Sequence, residues 1–165
     1  MALKIFGGLL LVISGTLVGL LYSKRLFLYR EFYKKIINFS SSLSVQLRYS
    51  TADIFTLTAL CADTAEIDFF DFKNEKNLPF SAVWSKNTEA IPSKFGLNRN
   101  DKQLLLEFGE QLGKTDVEGQ LKHLELYEQI FKKQLENAET EIKNKSKLYK
   151  TMGFFVGTAV ALMII

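Results

Sequence analysis

The 165 residues include one cysteine, one histidine, one tryptophan and two prolines. A lone Cys61 excludes an internal disulfide framework and any cysteine-cluster zinc site. So little proline, with 10 glycines, excludes a collagen-like or low-complexity chain. General disorder is excluded as well, because 47% of the residues are hydrophobic and 14 are Phe. A net charge of +3 is too small to mark a nucleic-acid binder. The most informative absence is local. No charged residue occurs from Ile5 to Tyr22 or from Thr151 to Ile165, and all 18 acidic residues lie between Glu31 and Glu141.

The first charge-free run has 18 residues. As a helix at about 1.5 Å per residue it extends roughly 27 Å, close to a hydrocarbon core of about 30 Å. Gly7, Gly8, Gly15 and Gly19 would weaken a helix in water but are tolerated in lipid. Gly15 and Gly19 form a G-x-x-x-G pair, a weak signal for helix contact in a membrane. A cleaved signal peptide is the competing reading, and it lacks a small-x-small site before Lys24-Arg25. The second run, Thr151–Ile165, is 15 residues, roughly 22 Å as a helix. A buried core helix competes there, but Thr158 is the only polar residue after Thr151, so the run has no polar face. Residues 1–22 and 151–165 are therefore expected to be transmembrane helices.

Basic residues crowd the inner flank of each run. Lys24, Arg25, Arg30, Lys34 and Lys35 follow the first, and Lys143, Lys145, Lys147 and Lys150 precede the second. By the positive-inside rule, residues 23–150 form a cytoplasmic domain tethered at both ends, with basic flanks suited to anionic membrane lipids.

The middle reads as helical. Leu26, Tyr29, Phe32, Ile36, Phe39, Leu43 and Leu47 recur at helical spacing and continue the first run without a breaker. Ser50-x-x-Asp53 is expected to cap a second helix, with Cys61 as a small core residue. Pro79 opens a short helix, and Asn100 or Asp101 is expected to cap the next. Gly113 falls where that helix should stop, at a C′ position favouring left-handed backbone. Thr115-x-x-Glu118 reads as a capping box, with Asp116 in the first turn of the helix it opens. Two helices joined by so tight a turn should run antiparallel. The last helix carries Leu121, Leu124, Phe131, Leu135, Ala138 and Ile142 on one stripe. It meets no Gly or Pro from Leu121 until Gly153. The expected fold class is all-α: an antiparallel helical bundle flanked by two transmembrane helices.

Glu66–Asn77 is acidic and aromatic. It reads either as a loop pinned by its phenylalanines or as an exposed partner contact using Glu66, Asp68, Phe69, Phe70 and Asp71. Its carboxylates lack the order of a calcium loop.

No catalytic constellation is visible. His123 is alone, with no metal-ligand or nucleophile spacing around it, and is expected to be a partly buried hydrogen-bonding residue. No phosphate loop, G-x-S-x-G or H-E-x-x-H occurs. The chain reads as a non-enzyme with no cofactor, metal, small-molecule substrate or nucleic acid.

The run from Leu105 to Asp116, with its Phe108-Gly109, Leu112-Gly113 and Asp116, followed by Gln120 and His123, resembles the stage III sporulation protein AB family. Gln46–Ser50 and the tail Met152–Gly157 are also similar. The family often opens its second helix with Pro, where this chain has Ala52-Asp53. The resemblance implies a cytoplasmic helical domain similar to the inner-membrane platform proteins of type II secretion. It also implies a place in the channel complex between mother cell and forespore. The implied partners are the sporulation AA-type ATPase and other membrane proteins of that complex, and the implied location is the outer forespore membrane, facing the mother-cell cytoplasm. The residues expected to form its turn and packing are Phe108, Gly109, Leu112, Gly113, Thr115, Asp116, Glu118, Gln120 and His123. The alternative is a small holin-like membrane-permeabilising protein, which a domain of this size with a continuous apolar stripe argues against.

Overall fold

The computed structural model describes the backbone of residues 2–72 and 77–164, with side chains from 20–72 and 77–144 and a few positions further out. Within those residues every regular element is helical. They are α1 (Ala2–Tyr49), α2 (Ile54–Thr64), α3 (Phe80–Glu89), a single 3-10 turn at Ser93–Phe95, α4 (Arg99–Glu110) and α5 (Val117–Ile164). The chain is all-α.

Two compact units divide it. One comprises Met1–Arg30 and Glu136–Ile165, the other Glu31–Leu135. In the first unit Leu10, Ile13, Leu17, Leu20, Leu21 and Phe155 are all exposed. Arg30 lies over the ring of Phe27, 5.3 Å from its centroid. Among the described residues no helix is long and apolar enough to cross a membrane. The surroundings of Gly15 and Gly19 and the side chains of Lys145, Lys147 and Lys150, which figure in the sequence expectation, lie outside what the structure describes.

The second unit has an aromatic core. Helix α1 turns Phe32, Tyr33, Ile36, Phe39 and Leu43 inward, all fully buried. Their three- and four-residue spacing places them on one face. Trp84 of α3 lies at the centre, with ring contacts to Phe39, Phe70, Phe72, Phe80 and Phe108 at 5.1–6.1 Å. Each such ring contributes about 1.5–3 kcal/mol by leaving water, and offset or edge-on pairs add to that. Burying the indole obliges its N–H to find a partner. Nε1 donates to the Leu105 carbonyl of α4 at 2.6 Å.

Four local expectations are corrected. Asp53, not Ser50, caps α2: its carboxylate accepts the Thr56 N–H at 3.1 Å, while the Ser50 hydroxyl accepts from Ala52. Asn98, not Asn100 or Asp101, caps α4. It does so in a reciprocal box in which Asn98 accepts the Asp101 N–H and Asp101 accepts the Asn98 N–H. The chain length of Asp suffices because the two backbones are already close. Gly113 has φ of 79°, but α4 ends at Glu110 with Gln111 as its cap, so Gly113 sits two residues past the cap instead of one. Thr115 and Glu118 form no box. Asp116 accepts the Gly119 N–H at 2.9 Å and so caps α5, and Glu118 pairs with Lys122 at 2.7 Å.

The acidic aromatic stretch is also corrected in part. Phe70 and Phe72 are core residues and Phe69 is half-buried, with rings of Phe32, Phe70 and Phe95 around it. Asn87 holds the backbone of Asp71 with two hydrogen bonds of 3.0 Å, accepting from its N–H and donating to its carbonyl. Glu66, Asp68 and Asp71 are the exposed members, so aromatic anchors of an exposed contact are not what the stretch presents. Residues 73–76 of it lie outside the described residues.

Candidate functional site

The residues singled out from the sequence converge on the α4–α5 turn. An α-helix ends with unsatisfied carbonyls, and the next begins with unsatisfied N–H groups. A six-residue connection must satisfy both in a small space. Gln120, only 3% exposed, does much of this. Its Nε2 donates to the Gln111 carbonyl at 3.2 Å and to the Thr115 hydroxyl at 3.1 Å, and its Oε1 accepts the Gly113 N–H at 3.1 Å. One buried amide thus ties the end of α4 to the start of α5. Asp116 adds the cap on Gly119.

His123 supports the same corner from the next turn of α5. Its Nε2 sits 2.8 Å from the Phe108 carbonyl, so that nitrogen must carry the proton and donate. The ring stacks on Phe108 at 5.7 Å and 11°, and tilts against Tyr127 at 4.7 Å. Phe108 also meets Phe131. At the other end of α4, Tyr33 donates to the Asp101 carboxylate at 2.7 Å and its ring contacts Phe131. The contacts of Phe108 with His123, Tyr127 and Phe131 show that α5 folds back against α4 after the turn.

Gly109 and Leu112 face the core, with Leu112 3% exposed. A Cβ on Gly113 would only touch Ile54 at 3.4 Å, so its glycine is required by the left-handed backbone and not by space. At Gly109 the reason is space, because the ring of Trp84 lies directly on it. Tyr127 has its hydroxyl pKa raised, first by burial and then by the carboxylates of Glu107 and Glu110. Cys61 is buried, and burial alone pushes its thiol to about 11, which removes it as a nucleophile near neutral pH.

Four features were not singled out from the sequence: Trp84 as a core centre, Asn98 as a cap, Gly119 beneath the Asp116 carboxylate, and the left-handed backbone of Glu66. A Cβ on Gly119 would stand 2.8 Å from the Thr115 hydroxyl, and the Asp-x-x-Gly spacing was the available signal. Glu66, just past the Ala65 cap of α2, has φ of 54°, with the Ile67 N–H reaching back to the Ala62 carbonyl at 2.9 Å and Lys35 donating to the Glu66 carbonyl. A glutamate gives no hint of left-handed backbone.

Among the described residues no three His, Cys, Asp or Glu side chains gather where a metal could sit. Hydrogen-bonded turns and aromatic contacts define this site, which places the protein in the class of all-helical domains built around a fixed helix–helix corner. A family model described as stage III sporulation protein AB matches residues 4–165. The Stage III sporulation protein AB of Bacillus subtilis (strain 168) is 23% identical over 172 residues, a match covering 98% of this chain and 99% of the relative. No solved structure matches. The chain belongs to the stage III sporulation protein AB family, and its role is in sporulation.

Proposed function

We propose that the chain is a non-enzymatic, two-pass membrane platform of the sporulation channel complex between mother cell and forespore. It docks a cytoplasmic secretion-type ATPase, the sporulation AA-type ATPase, to the membrane assembly. The domain of residues 23–150 faces the mother-cell cytoplasm, and residues 1–22 and 151–165 lie in the outer forespore membrane.

One observation carries this reading. The two longest helices, 48 residues each, both join a charge-free apolar end to a segment with a packed face. Leu10, Ile13, Leu17, Leu20 and Leu21 lie exposed along the first of those ends, a cluster that water would penalise and lipid would not. Lys24 and Arg25 stand next to it, where head groups would meet them. The corner between α4 and α5 is braced by the buried amide of Gln120 and by His123, as a rigid adaptor needs.

The test is co-purification of the full chain, in detergent, with the ATPase of the same sporulation gene set. The reading expects the two to elute together. Charge reversal at Glu66, Asp68 and Asp71 tests whether the outward carboxylates of that stretch form the contact. Elution apart at micromolar concentrations would rule out direct docking.

A further inference from the structure

We propose that the groove between α1 and α5 within Glu31–Leu135 is a two-fold interface between copies of this chain. The groove encloses about 590 Å3. Ser44 and Arg48 of α1 form one wall, and Glu118 to Lys132 of α5 form the other, with Leu121 half-buried between them.

Its charges are self-complementary. Lys122 and Lys132 are each answered within α5, by Glu118 at 2.7 Å and Glu128 at 2.6 Å. That leaves Arg48 on the α1 wall and Glu125 on the α5 wall. Both are exposed, and among the described residues neither side chain has an ion pair or hydrogen bond. A two-fold axis brings Arg48 of each copy to Glu125 of the other, satisfying both walls with one operation. With three cations and three anions in all, the groove has no net charge to draw a polyanion or a polycation. Exposed apolar side chains adjoin the lining residues in sequence. Val45 and Tyr49, beside Ser44 and Arg48, are 53% and 85% exposed, and Leu126, beside Glu125, is 55% exposed.

The interface is independent of the membrane reading, and its test separates the two. Full-length protein in detergent is followed by sedimentation across a concentration series. The wild type is expected to dimerise. Arg48→Glu and Glu125→Arg, each placing like charges opposite one another twice, should weaken the dimer on the order of tenfold or more. An equimolar mixture of the two variants should restore it to within about threefold, because both cross-contacts are then Arg opposite Glu. A pairing inside one chain cannot produce that rescue by mixing. Circular dichroism checks that each variant keeps its helicity. Should a reversal unfold the chain, Arg48→Gln and Glu125→Gln should each weaken the dimer, and mixing them should restore it in part, because one of the two Arg48–Glu125 contacts then survives. A wild type that stays monomeric, variants that dimerise like it, or a mixture of folded charge-reversal variants that is not restored would overturn the proposal.

Discussion

A Cβ built on Gly109 would stand 2.0 Å from Cδ1 of Trp84, well inside any real contact distance. The indole lies flush on the α4 backbone, and its N–H reaches the Leu105 carbonyl one turn earlier. Even one methyl group at position 109 must push the ring away and break that hydrogen bond. Gly109→Ala is expected to destabilise the domain by about 3 kcal/mol, from overpacking and an unsatisfied indole N–H. Thermal melting checks the loss. Because Trp84 is the chain's single tryptophan, a red shift of its fluorescence reports the displacement directly. An unchanged melting temperature would refute the contact.

Gln120→Ala leaves the Gly113 N–H without its acceptor and removes two donors from the corner. The expected cost is about 1–3 kcal/mol. Gly113→Val should cost a similar amount for a different reason, since it forces a β-branched residue to positive φ. Gly113→Asn should cost clearly less than Val, because Asn tolerates left-handed backbone. Equal losses for Asn and Val would show that space, not φ, is what Gly113 supplies.

Glu66→Gly should stabilise the chain by up to about 1 kcal/mol. Relief of a left-handed non-glycine backbone outweighs the extra freedom glycine gives the unfolded state. Chemical denaturation measures it, and a loss of stability would mean that the Glu66 side chain itself holds the end of α2.

The α-helical class and the place of the turn between α4 and α5 were legible, because helical spacing and turn chemistry are local. The caps of α2, α4 and α5 were each misplaced by one to three residues. Several Ser, Thr, Asn and Asp lie in a row at each start, and only the folded backbone selects among them. The packing of Trp84 on Gly109 was not legible, since it joins helices 25 positions apart through shape alone. The phenylalanines of residues 69–72 were ambiguous for a similar reason. No local pattern says which way an irregular segment turns its side chains.

Burial raises the Cys61 thiol from 9.0 to about 11. Below pH 9 the folded and unfolded chains are both protonated there, and the thiol adds no pH dependence. As pH rises from 9 toward 11 only the unfolded chain loses the proton, so stability should fall by on the order of 1–2 kcal/mol. In a Cys61→Ala chain, less stable from the outset, this alkaline slope should be reduced. Thiol reagents at pH 8 should modify native Cys61 far more slowly than the urea-unfolded chain, and equal rates would contradict its burial.

The most direct test of the platform reading is how the full-length chain is held in membranes of sporulating cells. Washing with high salt and then alkaline carbonate should leave it in the pellet, and mild detergent should release it, because apolar segments in lipid are indifferent to ionic strength. Release by salt alone would mean that only the basic flanks touch the bilayer, and the two-pass platform would be contradicted.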